Sequence, residues 1–396
     1  MPRLLYIVTH GMSARILLKG QLRWMREAGF DVAVAAAPGD DLDIVAEQEG
    51  VEVFPVPMCR EISPLTDLRS IHSLQRVIRR WKPEIVNAST PKGGLLGMLA
   101  ARISRVPVRI YTLRGLRLET ATGGRRALLM RTERIAAKCS HRVLAVSSSL
   151  ADRYVELGLA PREKVATPAA GSSNGVNAGR FANLDREQSR RDLKISFTAP
   201  VVGFVGRLTR DKGVVELVQA FERIYAEQPE ARLLLVGDFE SGDPVPIETI
   251  DRIRNHPAIL QTGFVADVAR CYAAMDVLAF PSHREGFPNV PLEAATAGIP
   301  VVGYWATGTV DAVVHGETGT LVEIGDVESL TAALAQYLAE SKLRTAHGAA
   351  GCRRVEHDFE PVKVWHALRN EYLQLLDYYG IAHQIPEIEI PDAQHA

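Results

Sequence analysis

Short apolar runs alternate with amphipathic helical patterns along almost the whole chain. Residues 17–29 (LLKGQLRWMREAG), for example, are typical of an amphipathic helix that ends at Gly29. Strand–helix alternation of this kind predicts a parallel, doubly wound α/β sheet. The predicted strands are 3–10, 83–90, 108–113, 142–148, 200–206, 232–238, 275–282 and 299–304, together with a strand and turn at 31–39.

A polar, Gly- and Ser-rich stretch interrupts this pattern near residues 168–200, after which a second series of strands begins. A chain of 396 residues is too long for one ordinary core. We therefore expect two Rossmann-like domains that face a cleft, with ligands at the carboxyl ends of the strands. The predicted divisions are a first domain 1–175, a linker 176–199, a second domain 200–362, a C-terminal helix 363–380 and a flexible tail 381–396.

Composition excludes several classes of protein. Four widely spaced cysteines without a CxxC pair argue against a disulfide framework or a zinc site, and favour a cytoplasmic setting. We expect neither a signal peptide nor a membrane span, because no apolar stretch is long enough. A net charge of -1, without aromatic residues interleaved among the cations, argues against nucleic acid as a partner.

The segment VVGFVGRLTRDKG, residues 201–213, carries the first candidate motif. An apolar strand ends at Gly206, and Arg207 and Lys212 follow before a helix. Two cations beside a helix N-terminus suit a diphosphate, because Arg offers forked donors and the helix offers free N–H groups. An ordinary charged strand–helix loop, with Asp211 paired to a neighbour, is the alternative.

The second motif is REGFPNVPLE, residues 284–293, in which Glu285 and Glu293 flank an irregular connection. Pro291 suits the first turn of a helix, so backbone amides just before it would face the cleft. Glu293 would then accept both hydroxyl groups of a ribose, and Glu285 would lie on the sugar side. Alternatively, Glu293 only complements the helix dipole.

Together these two motifs resemble those of the retaining GT-B glycosyltransferases of family 4, including bacterial capsule and exopolysaccharide enzymes. The segment GSSNGVNAGRF is similar to the family's junction motif NGVD…RF, with Asn177 where Asp is common. The resemblance covers nearly the whole chain. It implies a GT-B fold in which the first domain binds the acceptor, the second binds a nucleotide sugar, and the last helix crosses back to the first domain.

The resemblance also implies roles for individual residues. Arg207, Lys212 and Glu285 match the catalytic positions, and Arg114 stands near a place where many members carry His. The matching donor-binding positions are Gly11, Gly206, Val265, Gly286, Phe287, Pro288, Asn289, Val290 and Glu293. His10, Ser13 and Arg114 are candidates for contacts with the acceptor or a phosphate.

The implied donor is a UDP-sugar and the implied reaction retains the anomeric configuration. A dianionic leaving group needs fixed cations and N–H donors. Many transferases use a metal held by Asp-x-Asp, but here the only such triplet is Asp41-Leu42-Asp43, which we interpret as a solvated helix start. We therefore expect a metal-independent reaction without a cofactor.

Residues 99–142 contain eleven Arg or Lys but only two acids. Within them, Arg131, Arg134 and Lys138 share one helix face, and with Arg125 and Arg126 they form a cationic surface; Leu128 and Ile135 are placed elsewhere on the helix. Docking on an anionic membrane would suit a polyprenyl-diphosphate-linked acceptor. An ordinary solvated helix face is the alternative.

Three other functions remain open. A GT-B nucleotide-sugar epimerase would need further acid/base groups, for which His10 and His283 are candidates. A transferase acting on a small soluble acceptor, or a non-catalytic sugar-binding module, also fits the pattern. A dinucleotide oxidoreductase is disfavoured, because the first turn, THGMSA, lacks GxGxxG.

Overall fold

A computed structural model of the chain describes residues 1–59, 63–172, 174–181, 184–386 and 388. The chain divides into two compact units. Unit 1 comprises Met1–Gly175 with Pro361–Ala396, and unit 2 comprises Val176–Glu360. Each is built on a parallel sheet with connecting helices, which confirms the predicted α/β fold class.

In the described part of the chain, unit 1 contains a seven-stranded parallel sheet with the order β3-β2-β1-β4-β5-β6-β7. These strands are β1 (Arg3–His10), β2 (Asp31–Ala37), β3 (Glu52–Pro55), β4 (Ile85–Ser89), β5 (Val108–Leu113), β6 (Arg142–Ala145) and β7 (Val165–Ala166). The central strands are buried along nearly their whole length, as expected for a parallel sheet covered by helices on both faces. The strand order reverses between β1 and β4, and a doubly wound sheet opens a ligand-binding crevice at such a switch point.

The helices that connect these strands follow the expected βαβ pattern. They are α1 (Gly11–Leu17), α2 (Gln21–Glu27), α3 (Asp40–Glu49), α4 (Pro64–Trp81), α5 (Pro91–Ile103), α6 (Gly123–Cys139) and α7 (Ser148–Glu156). Helix α4 shows why such segments fold as helices. Pro64 occupies its first turn, and the apolar residues Leu74, Ile78 and Trp81 recur at helical spacing on its buried face.

Unit 2 repeats this architecture with the strand order β10-β9-β8-β11-β12-β13 within the described residues. Its strands are β8 (Val201–Val205), β9 (Arg232–Val236), β10 (Ile259–Gly263), β11 (Val277–Phe280), β12 (Val301–Tyr304) and β13 (Gly319–Val322). Its helices are α8 (Arg186–Asp192), α9 (Val214–Glu227), α10 (Ile247–Asn255), α11 (Ala269–Ala274), α12 (Asn289–Thr296), α13 (Thr309–Ala312), α14 (Val327–Ala339) and α15 (Ser341–Asp358). Here the switch point lies between the paired strands β8 and β11.

The segment that the sequence assigned to a linker, residues 176–199, packs within unit 2, although residues 182 and 183 lie outside the described part. Arg190 on α8 is buried and anchors this segment. Its guanidinium group donates to the carbonyl oxygen of Ala199 at 2.9 Å and to the carboxylate of Asp276 at 3.0 Å. A buried guanidinium group satisfied in this way fixes the segment to the sheet.

The last helix, α16 (Pro361–Tyr378), belongs to unit 1. Its Tyr372 reaches the centre of that core, where the hydroxyl group accepts a 2.6 Å hydrogen bond from Nδ2 of Asn87. In the segment predicted as a flexible tail, Ile381 and Ile385 pack against the same core. Residues 387 and 389–396 of that tail lie outside the described part of the chain.

Residues 17–29, predicted as one helix, are instead divided between α1 and α2. Gly20, at the N-terminus of α2, has φ 75°, and a Cβ atom there would lie 2.9 Å from the ring of Trp365. The bend therefore needs glycine for both its backbone conformation and its packing against α16. The sequence pattern of α1 and α2 alone carries no information about that distant contact.

Candidate active site

The carboxyl ends of β8 and β11 meet at the switch point of unit 2, and the two candidate motifs follow these two strands. After β8 the chain passes Gly206 and Arg207 and enters a short 3-10 helix, Arg210–Lys212. Gly213 then begins α9 with φ 70°, and a Cβ atom there would lie 2.0 Å from the carbonyl oxygen of Pro281. Glycine thus allows the loop after β8 to lie directly against the loop after β11.

Lys212 and Glu285 form an ion pair across these two loops. Their side chains are only 18% and 14% exposed, so solvent screens the pair weakly. An ammonium group and a carboxylate therefore stand side by side at the place where a doubly wound sheet binds its ligand. The structure brings these two predicted residues together, as the sequence motifs suggested.

Arg207 lies at the same edge of the sheet but is more accessible, with a side chain that is 52% exposed. It is paired with Glu240, which lies on the loop after β9. A pair this exposed contributes little stability, so an incoming diphosphate can compete with Glu240 for the guanidinium group.

Glu293 lies on α12, where the side chain of Tyr272 from α11 holds it. The tyrosine hydroxyl group donates to Oε2 of Glu293 at 2.8 Å. Burial raises the pKa of Glu293, while the Tyr272 hydrogen bond and the positive charge of Arg180 act in the opposite direction. Neither Tyr272 nor Arg180 was predicted to contact Glu293. Tyr272 lies in the apolar helix α11 and Arg180 in the junction motif, and neither pattern indicates contact with a carboxylate.

The residues between the two glutamates form the start of α12. Gly286, Phe287 and Pro288 are buried, and Asn289 is the first residue of the helix. Oδ1 of Asn289 is buried and accepts no hydrogen bond from the described residues. A buried acceptor without a partner is costly, and a ligand hydroxyl group or N–H group would satisfy it.

Val265 follows β10 and is half-buried on a loop that Asp238 holds in place. The backbone N–H of Phe264 donates to Oδ2 of Asp238 at 3.0 Å, and Gly263 has φ 72°. The loop therefore presents backbone groups at the carboxyl edge of the sheet, next to the loop that carries Glu240.

Three of the predicted site residues of unit 1, His10, Gly11 and Ser13, lie at or just after the end of β1. His10 is the last residue of β1, and Gly11 begins α1, where a Cβ atom would lie 2.7 Å from the backbone nitrogen of Leu42. Ser13, one turn further on, is half-buried. Gly11 is thus required for the close approach of α1 and α3.

Arg114 follows β5 and is half-buried. Burial lowers the pKa of Arg114 to about 10, while the hydroxyl groups of Tyr372 and Tyr6 act in the opposite direction. Its electrostatic neighbours are therefore side chains of the unit 1 core and α16, and this environment was not visible in the sequence.

The Asp41-Leu42-Asp43 triplet lies in the first turn of α3, as expected for a helix start. Asp41 accepts a 2.9 Å hydrogen bond from Arg15. Negative side chains in a first turn complement the helix dipole.

Helix α6 carries the predicted cationic surface, and one detail of its prediction was wrong. Arg125, Arg131, Arg134 and Lys138 are exposed and Arg126 is half-buried, and none of them forms an ion pair within the described part of the chain. Leu128 and Ile135, predicted to lie elsewhere, are 44% and 37% exposed beside these cations. Leu128 and Ile135 share the face of these cations because positions 128, 131, 135 and 138 are spaced three or four residues apart, and such residues are neighbours on a helix surface.

Among the described residues, no helix has the length and apolar character needed to cross a bilayer.

The two parallel sheets have the GT-B fold, and sequence comparisons define the class of the protein as a glycosyltransferase. Residues 11–170 match the family described as "Glycosyl transferase 4-like domain", and residues 199–340 match "Glycosyl transferases group 1". The capsular polysaccharide biosynthesis glycosyltransferase CapM of Staphylococcus aureus is 34% identical over 356 residues, which cover 90% of this chain and 93% of that protein. The chain therefore belongs to the group 1 glycosyltransferases, which confirms the family that the motifs resembled.

One further relative and one solved structure show how far the similarity extends. The UDP-Gal:alpha-D-GlcNAc-diphosphoundecaprenol alpha-1,3-galactosyltransferase of Escherichia coli is 26% identical, covering 85% of this chain and 89% of that enzyme. The structure of Anabaena Alr3699/HepE in complex with UDP-glucose superposes with a TM-score of 0.78 and 21% identity, covering 94% of this chain and all of that one. At this level of identity the latter comparison supports the fold.

Proposed function

We propose that this glycosyltransferase moves a hexose or N-acetylhexosamine from a UDP-sugar to a polyprenyl-diphosphate-linked glycan, in the synthesis of a surface polysaccharide. The observation that carries the proposal is the shielded Lys212–Glu285 pair at the switch point of unit 2, with Arg207 at the same edge. The UDP-sugar and the lipid-linked acceptor are the substrates named for the E. coli relative, and the S. aureus relative is named for capsular polysaccharide.

In this proposal Arg207 and Lys212 hold the diphosphate and stabilise its negative charge as the sugar–oxygen bond breaks. The amides at the start of α12 supply further N–H donors, Glu293 accepts hydroxyl groups of the ribose, and backbone groups near Val265 contact the base. Glu285 faces the donor sugar.

The acceptor hydroxyl group attacks on the face that the leaving group departs from, so the configuration is retained. The departing phosphate oxygen takes the acceptor's proton, and no metal is required. His10, Ser13 and Arg114 are assigned to contacts with the acceptor or a phosphate.

A screen of nucleotide sugars tests the donor. A UDP-sugar at a hundred times its Kd should stabilise the protein by about 2.7 kcal/mol, whereas the matching GDP- and ADP-sugars should not. With a polyprenyl-diphosphate-linked saccharide added, UDP should be released and the product should keep the donor's anomeric configuration by NMR. Stabilisation by GDP- or ADP-sugars alone would contradict the donor assignment. Conversion of the sugar without an acceptor would indicate an epimerase, and binding without UDP release would indicate a sugar-binding module.

The exposed face of α6 supports a second part of the proposal, that the enzyme works on the inner face of the plasma membrane. Arg131, Arg134 and Lys138 surround the exposed side chains of Leu128 and Ile135. Cations near an anionic bilayer contribute about 1 kcal/mol each, and apolar side chains among them can enter the interface.

Replacing Arg131, Arg134 and Lys138 together with glutamine should therefore weaken binding to anionic vesicles by about 3 kcal/mol, or roughly a hundredfold. Co-sedimentation with phosphatidylglycerol-containing liposomes at low salt measures it. The matched control replaces Arg76, Arg79 and Arg80, three exposed cations on α4 of the same unit. Equal losses in the two triple variants would show that only total charge matters, and no binding by the unmodified protein would end the membrane proposal.

A further inference from the structure

We propose that Asp211 and Arg284 are positioning residues that hold Lys212 and Glu285 in their reactive arrangement. The inference rests on the roles proposed above for Lys212 and Glu285, and it adds two residues that bind no substrate. Asp211 precedes Lys212 in the loop after β8, and Arg284 precedes Glu285 in the loop after β11. Nη2 of Arg284 donates to Oδ2 of Asp211 at 2.9 Å.

Every polar group of Asp211 has a partner. Its Oδ1 accepts from the hydroxyl group of Thr209 at 2.7 Å, and its Oδ2 accepts from Arg284. Its backbone N–H donates to Oδ2 of Asp243 at 2.7 Å, and its carbonyl oxygen accepts from the N–H of His283 at 2.9 Å. One residue thereby joins the loops that follow β8, β9 and β11.

The two ion pairs are consecutive links between the same two loops. In the pairs Asp211–Arg284 and Lys212–Glu285, the first members are adjacent in one loop and the second members are adjacent in the other. The Asp211 and Arg284 side chains are only 13% and 24% exposed. Because both pairs are largely shielded, their geometry is better fixed than that of an exposed pair such as Arg207–Glu240. A displacement of Arg284 would carry Glu285 with it.

The charges around Asp211 are consistent with this arrangement. Burial favours its neutral form, but the Thr209 hydrogen bond and the positive charges of Arg284, Lys212 and Arg207 outweigh burial and lower the pKa of Asp211. The group therefore stays ionised and keeps its bond to Arg284. One carboxylate thus offsets part of the repulsion among three neighbouring cations.

A purely structural role predicts something different. If Asp211 and Arg284 only stabilise unit 2, their loss should lower the melting temperature and leave kcat of the folded protein unchanged. If they position Lys212 and Glu285, kcat should fall while the fold persists, since misplacement by about 1 Å can cost on the order of a hundredfold in rate.

The test is a double-mutant cycle with kcat and donor KM measured separately. D211N keeps an acceptor for Thr209 and removes the charge that binds Arg284. We expect D211N and R284Q each to lower kcat about ten- to a hundredfold with a smaller change in donor KM. The double variant should lose little more than either single variant, and R284K should recover part of kcat. The control is E222Q, which removes the ion pair of Glu222 with Arg252 on α9 and α10 of the same unit.

The outcomes separate this inference from the function on which it rests. If K212A is inactive while D211N and R284Q keep the kcat of the unmodified enzyme, the positioning role is wrong and the proposed function stands. If the unmodified enzyme releases no UDP with donor and acceptor present, the proposed function itself is wrong; if K212A is fully active, the role of Lys212 is wrong and the positioning role falls with it. A fully additive double variant, or a kcat loss in E222Q equal to that in D211N, would also overturn the positioning role. Should D211N fail to fold, R284Q and R284K decide alone.

Discussion

Replacing Lys212 with alanine should lower kcat on the order of a hundredfold or more, comparable to the loss of a single donor that stabilises an oxyanion. The ammonium group stands beside Glu285 in a shielded site, where its charge interacts more strongly than it would in water. Its removal takes away a cation that the leaving diphosphate needs. It also leaves Glu285 as an unpaired carboxylate beside that diphosphate, so donor affinity should fall as well.

The measurement is steady-state release of UDP with donor and acceptor near saturation, together with the melting temperature as a check on folding. K342A is the matched control, because Lys342 is an exposed lysine on α15 of the same unit. K212R should recover part of the activity, since it restores a cation with a different shape. A K212A enzyme that turns over within a factor of about two of the unmodified protein would contradict the role given to this residue.

How well the sequence predicted the fold depended on where each strand lies in its sheet. The nine predicted strands correspond to β1, β2, β4, β5, β6, β8, β9, β11 and β12. The four strands that were missed, β3, β7, β10 and β13, are the edges of the two sheets. A central strand is buried on both faces and is therefore mostly apolar, whereas an edge strand can be short, polar or interrupted by proline, as EVFP in β3 is.

The sequence indicated those parts of the candidate site that local motifs carry, but not the side-chain partners that come from distant segments. Lys212 and Glu285 could be expected at one edge because each follows a recognisable strand, and parallel strands bring their carboxyl ends together. Their partners were harder to predict. Tyr272, which holds Glu293, and Glu240, which holds Arg207, come from loops or helices whose local patterns contain no trace of these contacts. Side-chain pairing across a sheet edge depends on loop geometry, which a single sequence does not specify.

Glu133 shows the same limit in unit 1, and it leads to a testable effect on stability. The sequence placed it only as one of two acids in a basic stretch, but on α6 it is buried, with 7% exposure. The hydroxyl groups of Tyr111 and Tyr154 donate to its Oε2 at 3.0 and 3.3 Å. Burial raises the pKa of Glu133 to about 7, although these two hydrogen bonds act in the opposite direction.

The effect on stability follows from where the proton is held. Below pH 4.5 the folded and unfolded chains both carry the proton, so this group does not make the free energy of unfolding vary with pH. Between 4.5 and about 7 only the unfolded chain releases it, so stability falls as the pH rises. Above pH 7 both states are ionised, and the accumulated loss is about 3 kcal/mol, since each pH unit in that interval is worth about 1.4 kcal/mol.

Glutamine at position 133 keeps an oxygen that accepts both tyrosine hydrogen bonds but never ionises. E133Q should therefore match the unmodified protein near pH 4.5 and exceed its stability at pH 8 by up to about 3 kcal/mol. Urea unfolding followed by tryptophan fluorescence reports mainly on unit 1, which contains Trp24, Trp81 and Trp365 of the four tryptophans.

The control is E49Q. Glu49 is equally buried but accepts from the backbone N–H groups of Gly20 and Arg23, so its replacement should destabilise the protein. The quantity to compare is the difference in free energy of unfolding between E133Q and the unmodified protein. If this difference is no larger at pH 8 than at pH 5, Glu133 does not hold its proton in the folded state near neutral pH.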